Sequence, residues 1–201
     1  MQNPNPAVKN QPSLSWGGRL ADQFVSSARE MYNLRSLTGI GMLLALSVVL
    51  SFFTIEASPT LKIGVGYLVT ALLGMLYGPV TGAIAAGTGD IIKYIIKPTG
   101  GYFFGFTLTA ILGGLVYGMF FYRQQRCTIP RAILAKSTVT LLLNCLLNTF
   151  WLTLVTGSQF WGLLPPRAIK NLTALPLEIC LLYVALNTFS LVLRRSKLRY
   201  H

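Results

Sequence analysis

Acidic side chains are scarce in this sequence, which has 5 Asp and Glu residues against 17 Lys and Arg residues, and a single His at position 201. General acid–base catalysis depends chiefly on His, Asp and Glu, so few groups are available for it. The sequence also contains no Walker phosphate-binding motif and no spacing typical of metal ligands. These absences argue against an enzyme, a nucleotide-binding subunit and a metalloprotein, and we expect no cofactor.

Cysteine is rare as well, with Cys127, Cys145 and Cys180 the only three in the chain. The number is odd and no CxxC spacing occurs. This pattern indicates reduced thiols rather than a disulfide framework or a metal site.

Apolar residues dominate what is present. The chain is 53% hydrophobic and 11% charged, with a mean hydropathy of +0.57, whereas a soluble domain has about a quarter of its residues charged. The apolar runs are long, continuous and rich in Gly, which indicates several membrane spans. Because backbone groups in lipid must be hydrogen-bonded internally, and these runs are too long for barrel strands, we expect helices.

The runs predict an all-α membrane protein with six transmembrane helices in a compact bundle. The helices are placed at 36–55, 63–77, 80–96, 104–122, 132–156 and 166–193. The second is short for the ~20 residues that a bilayer requires. Gly78 and Pro79 predict a tight turn between the second and third helices.

The chain divides into three parts. Residues 1–35 form an N-terminal arm, in which Leu20, Phe24, Ala28 and Met31 have the spacing of an amphipathic helix on the membrane surface. Residues 36–193 form the six-helix domain, and residues 194–201 form a basic tail.

Most of the Lys and Arg residues lie in the arm, in the stretch 123–136 and in the tail. Six helices bring these three stretches to one side, and basic residues collect on the cytoplasmic side. Both termini are therefore expected in the cytoplasm, and the basic balance gives little support to nucleic-acid binding. The remaining cations fall towards the outer side and favour an anionic ligand from outside: Lys62, Lys93, Lys97, Arg167 and Lys170.

The fifth predicted helix carries Asn144, Asn148 and Trp151 at i, i+4 and i+7, on one face. Two amides beside an indole suit the edge and the face of a flat heterocycle. The alternatives are that the amides join helices to one another and that Trp151 anchors the helix at the membrane interface.

The sixth predicted helix carries Arg167, Asn171 and Glu178 on one face, with Lys170 beside Arg167. The N–H groups at its start favour anions, and Arg binds carboxylates through two parallel hydrogen bonds. The alternative is that these cations extend to the interface without binding a ligand.

An aromatic, Gly-rich loop at 98–106 precedes the fourth helix. Its Tyr102, Phe103 and Phe106 are candidates to stack on a ring or to form a lid, and an interfacial aromatic cluster is the alternative. On the third helix, Asp90 and Lys93 at i, i+3 predict a neutralising pair.

Small residues recur at four-residue spacing, which lets helices approach closely. Gly41 and Ala45 on the first helix, and Gly78, Gly82 and Ala86 at the third, are predicted to form a partner interface. Internal packing is the alternative for any of these stripes.

Four stretches resemble the substrate-binding S components of energy-coupling factor (ECF) vitamin transporters, and most closely the folate-specific members. They are LKIGVGYLVTALLGMLYGPVTGAIAAGTGD at 61–90, KPTGGYFFGFTLTAILGGLVYG at 97–118, LLNTFWLTL at 146–154 and LLPPRAIKNLTALPLE at 163–178. The chain departs from the pattern where Pro is expected, at Val69, Gly101 and Phe104. The Ala-x-x-x-Ala motif of the first helix appears as Gly41 to Ala45.

The resemblance implies a non-enzymatic subunit in a prokaryotic cell membrane that captures folate from outside. A transmembrane coupling subunit and two cytoplasmic ATPases would be its partners in ATP-driven import. The predicted ligand-binding set is Asn148, Trp151, Arg167, Lys170, Asn171, Tyr102, Phe103, Phe106, Asn144 and Lys62. The alternatives are an S component for another anionic vitamin or precursor, a small membrane enzyme acting on a lipid-linked anion, and a helper subunit without a ligand.

Overall fold

A computed structural model describes residues 16–52, 55–58, 61–98, 102–122, 124 and 127–195. Its helices, in chain order, are α1 (Trp16–Glu30), α2 (Leu34–Phe52), α3 (Gly66–Ile96), α4 (Phe104–Phe121), α5 (Ile129–Thr138), α6 (Asn148–Thr156) and α7 (Phe160–Arg195). A π-helical segment, Val139–Leu147, joins α5 to α6. An antiparallel hairpin of β1 (Ile55–Ser58) and β2 (Leu61–Ile63) precedes α3.

The chain reverses direction within α3, at Gly78. Gly78 has φ 86 and ψ −175, a conformation that costs glycine little because it has no Cβ. An unbroken helix would separate residues 74 and 82 by about 12 Å, yet a Cβ added to Gly82 would lie 3.1 Å from the Gly74 Cα. The predicted turn is therefore present, and α3 consists of two arms, α3a (66–77) and α3b (79–96).

In the described part of the chain, five helices are long and apolar enough to cross a membrane when α3 is counted once and 129–156 is taken together. The two arms of α3 bring the number of apolar helical segments to six. The predicted all-α membrane fold is thus confirmed, with a small hairpin added to it. The second helix begins at Gly66 rather than at 63, because 61–63 pairs with β1 instead.

The two arms of α3 pack against α4 through glycines on both sides. A Cβ added to Gly74 would lie 2.6 Å from the backbone nitrogen of Gly118, and one on Gly114 would overlap the carbonyl of Gly82. The helices meet backbone to backbone, an approach that small residues make possible.

This packing corrects part of the predicted partner interface. Gly78, Gly82 and Ala86 are all buried, and Gly78 and Gly82 lie close against α1, α3 and α4, so these three residues are not open to a partner. Gly41 and Ala45 differ, because both are exposed on α2 and a Cβ added to Gly41 would have nothing within 4 Å. These two remain available to a partner.

Helix α1 contacts the reversal in α3 through Ser27, which is 0% exposed. The Ser27 hydroxyl donates to the carbonyl of Tyr77 at 2.7 Å and accepts from the backbone N–H groups of Val80 and Thr81, each at 3.1 Å. The first N–H groups of a helix lack partners within it. Ser27 therefore caps α3b from a different helix.

Candidate functional site

A cavity of ≈ 260 Å³ opens between α3, α4 and the long helix formed by α5, the π-helical segment and α6. Charged, amide and aromatic side chains share its wall with small apolar residues. Its lining consists of Tyr67, Thr70, Ala86, Asp90, Lys93, Phe106, Thr109, Ala110, Gly113, Tyr117, Lys136, Val139, Leu143, Asn144 and Asn148. Lys136 and Asn148 lie twelve residues apart on one long helix, so their separation along the helix axis is about 18 Å at most. The cavity is therefore elongated, and we name its two ends after Asn148 and Lys136.

At the Asn148 end, Asp90 is held by α4. Its Oδ2 accepts a hydrogen bond of 2.8 Å from the Thr107 hydroxyl, which lies 3.0 Å from the Tyr102 hydroxyl. Within the described part of the chain, no ion pair of 4.0 Å or less joins Asp90 to Lys93. The predicted neutralising pair is thus not a direct contact, although the two charges act on each other through space. Thr107 binds Asp90, and both charged side chains line the cavity.

Asn144 and Asn148 both line the cavity. Asn144 belongs to the π-helical segment, a rare type of structure that is frequent at functional sites. The Oδ1 atom of Asn148 is buried and has no hydrogen-bond partner among the described residues. Because a buried amide oxygen without a partner is costly, this atom is a candidate to bind a ligand.

Trp151 lies in an aromatic cluster beside the cavity rather than in its wall. Its ring centroid is 5.6 Å from that of Phe103, and Phe103 in turn is 6.0 Å from Phe106, which does line the cavity. A Cβ added to Gly105 would lie 2.5 Å from the Trp151 ring, so glycine is needed there. The indole Nε1 is buried and without a partner in the described structure.

On α7, the predicted polar face turns inward. Arg167, Lys170 and Asn171 are partly buried, whereas Ile169 and Leu172 beside them are exposed, as a helical period of 3.6 residues requires. The Asn171 amide donates to the Cys145 sulfur at 3.2 Å, which attaches α7 to the π-helical segment. The Nε atom of Arg167 is buried without a partner in the part of the chain that is described.

The structure thus brings Asn144, Asn148 and Phe106 into the cavity wall. Tyr102, Phe103 and Trp151 lie next to that wall, and the α7 residues lie on a neighbouring helix. The side chain of Lys62 is outside the described residues, as is much of the loop between 98 and 102.

Of the residues at the Lys136 end, the sequence interpretation identified Glu178 as part of a polar helix face but missed its partner Lys136. Lys136 was counted with a basic linker, but it lies inside α5 and is 2% exposed. Its Nζ is 3.2 Å from Glu178 Oε2 on α7 and 3.5 Å from the centroid of the Tyr67 ring. The available signal was spacing, because Ala132, Lys136, Val139 and Leu143 follow i, i+4, i+7 and i+11 on the buried face.

Comparisons with known proteins agree with this architecture. Residues 35–186 match the family described as ECF transporter, substrate-specific component. The protein named Folate transporter FolT from Clostridium novyi (strain NT) is 34% identical over 146 residues, which cover 73% of this chain and 84% of that protein. Its namesake from Leuconostoc mesenteroides is 30% identical over 158 residues, 76% of this chain and 85% of that protein.

A solved structure is similar as well. The crystal structure of FolT bound with folic acid has a TM-score of 0.73 and 35% sequence identity, and the match covers 78% of this chain and 95% of that one. These relatives are transporter components and not enzymes. From its apolar helices, its fold and this match over most of its length, the chain belongs to the family of substrate-specific components of ECF transporters.

Proposed function

We propose that this protein is the folate-binding subunit of an ECF-type importer. The observation that carries the proposal is an elongated cavity with an unpartnered Asn148 amide oxygen, in a chain whose fold matches that of a protein solved with folic acid. A pterin ring system has donors and acceptors along its edge, which an amide can bind. Membrane lipid surrounds the helices, and no nucleic acid is involved.

The cavity is slightly smaller than the ~300–1,000 Å³ typical of ligand sites. It therefore holds the ring portion of folate, and the glutamate portion lies outside it. The carboxylates of that portion bind the cations Arg167, Lys170 and Lys62, with the inward-facing Arg167 guanidinium as the main contact. Tyr102, Phe103, Phe106 and Trp151 cover the ligand at the Asn148 end, where Asn144 and Asn171 support the wall.

We place the protein in a prokaryotic plasma membrane with both termini in the cytoplasm. The basic arm, the linker and the tail support this orientation even without Lys136. Residues 1–35 and 194–201 then flank the six-helix domain on the cytoplasmic side. Import requires a transmembrane coupling subunit, for which the exposed Gly41 and Ala45 offer a close-packing face, and two separate ATPase subunits hydrolyse the ATP.

The first test is to identify by mass spectrometry what co-purifies with the detergent-solubilised protein, and to titrate the ligand-free protein with folic acid by calorimetry. We expect bound folate and tight 1:1 binding. No folate and no binding of added folic acid would refute the proposal, and another anionic vitamin in its place would identify a different S component.

The second test uses Asn148→Ala and Trp151→Ala, each of which we expect to weaken folic acid binding by about 10-fold or more. Trp161→Ala is the matched control, because Trp161 is 77% exposed. Unchanged affinity in both cavity-side variants would remove this helix from the binding site.

A further inference from the structure

The Lys136 end of the cavity contains an ion pair that stability alone does not explain. Lys136 of α5 and Glu178 of α7 approach to 3.2 Å, and Lys136 is 2% exposed. A buried ion pair is often no more stabilising than apolar residues of similar volume. Ionisable residues inside a membrane bundle are therefore first considered as functional groups.

Neighbouring groups fix the position of the Lys136 ammonium. Glu178 takes one of its hydrogen bonds, and the face of the Tyr67 ring lies 3.5 Å away. Tyr67 is itself anchored, because its hydroxyl donates to the carbonyl of Glu178 at 3.2 Å. Three helices, α3, α5 and α7, thus hold one ammonium group at the wall of the cavity.

This ammonium has hydrogen-bonding capacity to spare. A lysine side chain has three donors, and Glu178 is its one hydrogen-bonding partner in the structure as described. Tyr117 of α4 lines the same cavity, is 1% exposed, and has a buried hydroxyl with no partner among the described residues. Tyr117 interacts electrostatically with Glu178 and Tyr67, the two residues that hold the Lys136 ammonium, so both donor groups belong to one end of the cavity.

We propose that Lys136 and Tyr117 select a ligand ring that presents a neutral carbonyl oxygen to this end of the cavity. The inference rests on the proposed function, and for folate it assigns the oxo group of the pterin to these two donors. A carboxylate fits less well at Lys136 itself, because Glu178 already neutralises this ammonium and its carboxylate would repel a second anion. Lys170 also acts on Lys136 and Glu178, and it remains one of the cations for the ligand carboxylates. An amino group in place of the oxo group would set donor against donor at Lys136, which has no acceptor, and would make the Tyr117 hydroxyl accept a hydrogen bond instead of donating one.

The experiment compares folic acid with aminopterin, which differs from it in carrying an amino group in place of the oxo group. In calorimetric titrations of the full chain, we expect the wild type to prefer folic acid by about 10-fold or more. Tyr117→Phe removes only the unpartnered hydroxyl and should reduce that preference by about 3–10-fold. Tyr183→Phe, on a tyrosine outside the cavity wall, is the matched control and should leave the preference unchanged.

A second variant removes the ammonium without leaving an uncompensated charge. Lys136→Met combined with Glu178→Gln should weaken folic acid binding by about 10-fold or more and change aminopterin binding by less than about 3-fold. Equal losses of affinity for folic acid and aminopterin, or no loss of affinity for either, would overturn the inference. If this double variant does not fold, the Tyr117→Phe result decides alone.

The outcomes separate the two proposals. A wild-type protein that binds folic acid without preferring it over aminopterin refutes the role of Lys136 and Tyr117 and leaves the proposed function intact. A wild-type protein that binds neither compound refutes both.

Discussion

Thr81 donates two hydrogen bonds to Ser27, one from its backbone and one from its side chain. The Thr81 backbone N–H donates to the Ser27 hydroxyl at 3.1 Å, and the Thr81 hydroxyl donates to the Ser27 carbonyl at 2.7 Å. Both residues are almost completely buried. The contact makes the helix before the first membrane span part of the bundle's own packing.

Replacing Ser27 with Ala should lower the free energy of unfolding by about 1–3 kcal/mol, because the N–H groups of Val80 and Thr81 lose their buried acceptor. Thermal unfolding in detergent measures the change. Ser51→Ala is the control, since the Ser51 hydroxyl donates to the Val48 carbonyl within its own helix. Equal melting temperatures for the Ser27 variant and the wild type would contradict the role of Ser27 as a cap.

Replacing Gly114 with Ala should destabilise the protein by about 1–3 kcal/mol, because the new Cβ would overlap the Gly82 backbone and force α3 and α4 apart. Gly41→Ala is the control, since nothing lies within 4 Å of a Cβ there. Melting temperatures of the two variants give the comparison. A decrease in the melting temperature no larger than that of Gly41→Ala would show that α3 and α4 can move apart with little loss of stability.

Replacing Arg167 with Gln should weaken folic acid binding by about 10–100-fold, because a hydrogen-bonded charge opposite a carboxylate is lost. Pteroic acid lacks the glutamate and should lose much less affinity. Arg131→Gln, at an exposed position on α5, is the control. Calorimetry with both ligands checks the prediction. Equal losses of affinity for folic acid and pteroic acid would place Arg167 away from the carboxylates of the glutamate.

Alkaline pH should destabilise the protein through Cys127. Burial raises the pKa of this thiol to about 11, although Arg131 acts in the opposite direction. The unfolded thiol has a pKa of about 8.5, so the stabilising contribution is complete below pH ~8.5 and is lost as the pH rises through about 11. The melting temperature of the wild type should therefore fall more steeply across this interval than that of Cys127→Ala, and parallel curves would refute the prediction.

Local patterns were sufficient to predict the apolar helices, the turn at Gly78 and Pro79, and the inward face of α7. Each depends on residues close together in the chain, such as the four-residue steps from Arg167 to Asn171. The fold class followed from the length of the apolar runs, and the shared face of Asn144 and Asn148 followed from helical spacing.

Contacts between distant residues were not predictable in this way. Lys136 resembled one more cytoplasmic cation until the structure placed Glu178, 42 positions later in the chain, at 3.2 Å. Asp90 and Lys93 interact electrostatically, as their spacing predicts, but the direct contact to Asp90 comes from a hydroxyl of α4, which the spacing could not show. The small residues from Gly78 to Ala86 fitted either a partner interface or internal packing, and only the position of α4 distinguishes these two roles.

The π-helical segment has a consequence for how insertions and deletions would act on this protein. A residue removed from an ordinary helix rotates everything beyond it by about 100°. A one-residue deletion between Lys136 and Asn148 would turn one of these two side chains away from the cavity. Neither residue would itself have been replaced. The number of residues between these two positions thus decides, independently of their identity, which side chains reach the cavity, and relatives that differ in length within 139–147 should differ in the ligands they accept.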